Sequence, residues 1–327
     1  MRHPHDAPRR RRPRSRTRLV VVAVAAVLLA GTLTAAGAVY TNAFGAGERF
    51  ASLLERIDLI IDPPPDRPTA PTVISTPRPI AQATPTPEPT PEPTPTPTLQ
   101  PGATAAPPTP TPDPTPRPTP RRVPVSYNIA RNADRYFNSQ ITKDWCAPAG
   151  VQMALAVLGL ADTSNAFQEK LVARAREWES RRDSLNGGWG PGAMVQALEA
   201  YGARGYEIRA FRSRADALLD SARAIRETES PVILLAWRGA HTWVMTGYRA
   251  TANPLAFENA KVTGAFILDP WYPRVSSIWG PSDPAGTFQD ADEMERNFLR
   301  WKRPEGRYPD RDGLFITVAP TIHRDDL

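Results

Sequence analysis

In the second half of the chain, apolar positions recur at two spacings. From Cys146 to Leu160 they fall at Val151, Ala154, Leu155 and Leu158, the i, i+3, i+4, i+7 pattern of an amphipathic helix. A second helix is predicted from near Asn165 to Arg181. A third opens at Pro191, whose missing N–H is harmless in a first turn, and stops at Gly202. Ser213 with Asp216 has the form of a capping box that opens a further helix to about Arg226. The segment GYEIRAF from Gly205 to Phe211 alternates like a strand, and strand-like apolar runs follow at Pro231 to Trp237, Ala240 to Tyr248 and Gly264 to Asp269. A last helix near Asp290 to Trp301 and a strand at Leu314 to Val318 close the series. Helices gather first and strands later, so the expected fold class is α+β rather than a doubly wound sheet.

The N-terminal part has a different texture. Leu19 to Tyr40 is an uncharged run of 22 residues, about 33 Å long as a helix and sufficient to span a bilayer. Arginines on its N-terminal side hold that end in the cytoplasm and place the rest of the chain outside. The small residues Ala36, Gly37 and Ala38 also suit a signal peptidase, which would make the protein secreted instead of anchored. Most of the 38 prolines crowd between Pro63 and Pro124, where fixed φ angles and missing donors favour extended polyproline II over a core. The expected organisation is a basic cytoplasmic tail at 1–18, a transmembrane anchor or signal at 19–40, a juxtamembrane segment at 41–62, a Pro/Thr-rich stalk at 63–124 and one folded domain at 125–327.

Charge narrows the partners. The formal net charge is +6, yet residues 1–18 carry eight arginines against Asp6, so the remainder is close to neutral. The folded block lacks the basic, aromatic-interleaved patch of a nucleic-acid binder. No Cys/His cluster suggests a metal, and nothing suggests a cofactor. With a single cysteine, no intrachain disulfide can form.

That cysteine, Cys146 in DWCAPAG, sits where a helix begins, and the positive end of the helix favours its thiolate. His241 is the histidine within the body of the block, at the start of a strand, and suits a general base. Asp269 ends the strand GAFILD and can orient an imidazole. Gln140, six residues before the cysteine, is a candidate oxyanion donor. Trp145, Trp243 and Trp271 lie near these motifs as candidate cleft-lining residues, with core packing as the alternative. The GGWGPG run from Gly187 to Gly192 lacks the lysine and spacing of a phosphate loop and reads as a turn before a helix.

The order Cys, His, Asp with glutamine six before the cysteine resembles the papain-like cysteine peptidases. WCAPAG, AHTWVMTGY and FILDP are most similar to their bacterial branch related to bacteriocin-leader-processing peptidases, the C-39-like group. The resemblance covers roughly Tyr136 to Tyr272. It implies a helix headed by the nucleophile packed on an antiparallel sheet. It also implies Cys146 as nucleophile, His241 as base, Asp269 as orienting residue and Gln140 as oxyanion donor, acting on a peptide or protein substrate. The 28 positions from His241 to Asp269 predict an insertion or long hairpin over Arg249 to Thr263. A cell-wall amidase or acyltransferase on the same fold, and a surface-displayed binding module without turnover, are the competing expectations.

Overall fold

The computed structural model describes residues 28, 29, 31–41, 61, 63, 65–80, 121–184, 189–302 and 306–327. These fall into two compact units, residues 1–63 and 64–327. In the first, residues 31–40 are helical. Among the described residues no helix is long and apolar enough to cross a membrane. The basic tail and residues 19–27 and 30 of the apolar run lie outside the described residues, as does nearly all of the juxtamembrane segment.

The second unit is mixed α and β. In chain order it contains β1 (Thr72–Ile74), β2 (Val125–Asn128), α1 (Cys146–Val157), α2 (Asn165–Ala173), α3 (Ala175–Trp178) and α4 (Pro191–Ala200). There follow β3 (Tyr206–Phe211), α5 (Arg214–Thr228), β4 (Val232–Ala236), β5 (His241–Ala250), β6 (Val262–Leu268) and the short ribbon β7 (Val275–Ser276) and β8 (Gly280–Pro281). β9 (Thr287–Asp290), α6 (Ala291–Asn297) and β10 (Phe315–Pro320) complete it. The main sheet runs β1-β3-β10-β4-β5-β6-β9, with β2 added beside β5. Its pairs are antiparallel apart from β1 with β3.

The apolar run of β4 is explained by burial on both faces. Ile233 and Leu235 join a core formed with α1 and α4, including Met153, Leu155, Met194 and Leu198. Val232, Leu234 and Ala236 point into a second core with Leu218 and Ile225 of α5. Alternation divides β5 in the same way: Val244 belongs to the first core, and Trp243 and Met245 to the second.

Expected elements and observed ones differ in instructive places. The first helix stops at Val157, because Gly159 adopts a left-handed φ of 78° and the Leu160 N–H closes back on Leu155 O. It is also buried on every side from Ala147 to Val157, not amphipathic. Its one polar interior residue, Gln152, is satisfied: its amide donates to the Asp162 and Ser164 carbonyls and accepts from Asn138 and Gln168. The expected helix from Asn165 to Arg181 breaks at Arg174, giving α2 and α3. Ser213 caps α5, its Oγ accepting from the Asp216 N–H at 3.0 Å and donating to the Asp216 carboxylate at 2.7 Å. Residues 249–263 lie at the end of a long β5–β6 hairpin, as expected, with 251–261 as its connection.

One boundary is corrected. Residues 65–80, assigned by composition to the stalk, belong to the folded unit. Thr72–Ile74 adds to the sheet edge beside β3, and the Arg67 guanidinium donates to the carbonyls of Arg176 and Glu177. Arg78 pairs with the fully buried Asp220, which also binds Arg209. The proline average of the region conceals a β-branched triplet flanked by charged anchors. Residues 81–120, the rest of that stretch, lie outside the described residues.

Candidate active site

Cys146 is the first residue of α1, with Trp145 at the N-cap. The first backbone N–H groups of a helix have no partner within it, so the sulfur sits beside free donors and the positive end of the dipole. Close approach of α1 to the sheet depends on Gly150. A Cβ there would lie 2.3 Å from Thr242 Cγ2, the residue after His241 in β5. The small residue lets the helix settle on the strand that carries the histidine.

His241 opens β5, and Asp269 follows the last residue of β6. The pairing of Val244 with Leu268 brings the two to the same end of the hairpin despite their separation in sequence. His241 Nε2 donates to Asp269 Oδ1 at 2.7 Å, and both side chains are buried. Oδ1 also accepts the Trp271 backbone N–H at 2.9 Å, which fixes the carboxylate. Cys146 lies close enough to act on the imidazole electrostatically. Since Nε2 is engaged by Asp269, Nδ1 is the ring nitrogen left for the sulfur. Sγ has a further weak contact of 3.9 Å with the Ala240 carbonyl.

Burial alone would disfavour the charged imidazole. The Asp269 charge and hydrogen bond oppose it, Cys146 adds to them, and the His241 pKa is raised to about 9. The ring is therefore cationic at neutral pH, suited to balance a thiolate.

Gln140 is fully buried on the segment leading to Cys146. Its Nε2 donates to the Thr142 carbonyl at 2.8 Å, leaving one amide hydrogen uncommitted, and its Oε1 has no partner. This segment is stapled to the Asp269 loop. Gln140 N donates to Pro270 O at 2.9 Å, the Ser139 hydroxyl donates to Tyr272 O, and Arg274 donates to the carbonyls of Gln140 and Ile141 at 2.6 and 3.0 Å. Two chain segments about 130 residues apart are thus held as one wall.

The three candidate cleft tryptophans separate. Trp145 is half-buried next to the cysteine. Trp271 is half-buried and edge-on to His241, with ring centroids 6.3 Å apart. Trp243 is corrected: it is 3% exposed within the second core, so it packs the interior and lines no cleft.

Sequence reasoning missed Trp237, Trp279, Arg274 and Asn297. Trp237 stacks on His241 with centroids 3.9 Å apart and planes 19° apart, and Trp279 lies parallel to Trp237 with centroids 5.8 Å apart. Trp237, Arg238 and Gly239 have φ values of 51°, 62° and 85°. Left-handed backbone at the two non-glycine residues costs on the order of 1 kcal/mol each. Gly239 is required twice over, since a Cβ there would lie 2.3 Å from Trp301 Cε3. The Arg238-Gly239 pair just before the histidine was the available signal of a sharp turn. Among the described residues no group of His, Cys, Asp or Glu side chains could hold a metal ion.

Neither a protein-family model nor a curated protein sequence matches the chain. Among solved structures it is similar to the crystal structure of a double glycine motif protease from an AMS/PCAT transporter in complex with the leader peptide. The match has 17% identity and a TM-score of 0.31, and covers 57% of this chain and 91% of that one. A likeness that remote identifies no family.

Proposed function

We propose that residues 65–327 form a papain-like cysteine peptidase, presented outside the cell by the apolar N-terminal segment. The observation that carries this reading is the 2.7 Å hydrogen bond between His241 and Asp269, with the sulfur of Cys146 at the N-terminus of the helix packed on the histidine's strand. The thiolate attacks the substrate carbonyl, forming a C–S bond and an oxyanion. The Cys146 backbone N–H and the uncommitted amide hydrogen of Gln140 receive that oxyanion. Collapse breaks the C–N bond as the His241 imidazolium gives its proton to the leaving amine. His241, now neutral, takes a proton from water as the water oxygen attacks the thioester. The acid departs and the thiolate–imidazolium pair returns.

The first test is iodoacetamide alkylation of Cys146 against pH. The expected result is reaction well below pH 8 in the natural chain and an ordinary thiol titration near 8.5 in His241→Ala. An identical profile for both proteins would refute the pairing. Digestion of a peptide library beside peptidoglycan then tests the substrate class, and release of wall fragments without peptide cleavage would assign an amidase instead.

A further inference from the structure

Trp237 is placed by an unfavourable backbone and held by specific contacts. Its indole Nε1–H donates to Asn297 Oδ1 at 2.9 Å. The Asn297 amide is itself oriented, because Nδ2 donates to the Glu293 carbonyl at 3.1 Å and to the Glu293 carboxylate at 3.2 Å. Its oxygen therefore faces the indole. Trp279 stacks parallel to Trp237 with planes only 7° apart, and Trp271 abuts both Trp237 and His241 edge-on. The Arg238 carbonyl accepts from the Lys302 N–H, which pins the left-handed turn from outside.

We infer that Trp237, locked by Asn297, is a positioning residue that fixes the plane of the His241 ring so that Nδ1 faces the Cys146 sulfur. The hydrogen bond to Asp269 fixes the position of Nε2 but leaves a residual tilt of the ring about Cβ–Cγ. Stacking at 3.9 Å limits that tilt, and the indole face also favours a cationic ring. The inference rests on the catalytic pairing proposed above. The titratable groups acting on His241 are Asp269 and Cys146. Asn297 is neutral, so replacing it alters the ring's support without changing charge.

The test is iodoacetamide alkylation of Cys146 in the full chain from pH 5 to 10, comparing the natural protein with Asn297→Leu and Trp237→Phe. Trp237→Phe keeps an aromatic face but loses the Nε1–H. Each substitution is expected to slow alkylation at pH 6 about tenfold. The rate at pH 10, where any thiol is ionised, should stay the same. A purely structural role would lower the melting temperature and leave this profile in place, and natural rates at pH 6 would overturn the inference. If Asn297→Leu does not fold, Trp237→Phe decides alone. Failure of the underlying pairing is distinguishable, because the natural protein and His241→Ala would then already share one ordinary profile.

Discussion

A single proton on His241 links the site to the stability of the fold. Its pKa is raised from 6.5 to about 9, so protonation favours the folded state. That contribution is complete below pH 6.5 and disappears as the pH rises through about 9. Melting temperatures measured from pH 6 to 9.5 should fall across this window, and the slope should flatten in His241→Gln. A natural protein whose stability is level across the window would contradict the assignment. Cys146, His241 and Asp269 were legible because each is isolated in type or position: one cysteine, one histidine in the body of the block, and one acid ending an apolar strand. Trp237 was not, since it terminates the run PVILLAW and reads as buried strand. Its left-handed backbone arises from tertiary support by Asn297 and Lys302, which lie 60 residues or more away.

At the scale of elements, the contact of α1 with β5 sets the distance between sulfur and imidazole. Gly150→Ala should force the helix away from Thr242, a β-branched neighbour buried in the sheet with little room to yield. The expected loss is about 1–3 kcal/mol of stability. Alkylation of Cys146 at pH 6 should slow as well, because the helix start moves with the helix. Chemical denaturation and alkylation, measured on the same sample, check both effects; unchanged values would show that the helix adjusts without disturbing the site. The periodicity of α1 marked a helix correctly but misjudged its surroundings. Ala147, Ala149 and Gly150 carry little hydrophobic signal, although they allow close packing on a second side. The chain order of helices and strands was enough to place the fold as α+β. It gave no hint of β1, β2 or β9, which are short strands whose pairing depends on distant partners.

For the molecule as a whole, the proline content of 63–124 suggested a spacer between membrane and domain. Both ends of that stretch instead meet the same body: Thr72–Ile74 extends the sheet at β3, and Val125–Asn128 pairs with β5. The Arg78–Asp220–Arg209 cluster secures the first of these ends with a carboxylate that has no access to solvent. A protease cutting within 81–120 would therefore sever the polypeptide without setting the body adrift. The two pieces should migrate separately on a denaturing gel yet elute together from a sizing column. Asp220→Ala, which leaves two guanidinium groups without their shared partner at a cost of about 3 kcal/mol, should let them part. After such a cut residues 65–80 would stay on the body by non-covalent contacts alone, and would leave it only if the edge strand peeled away from β3.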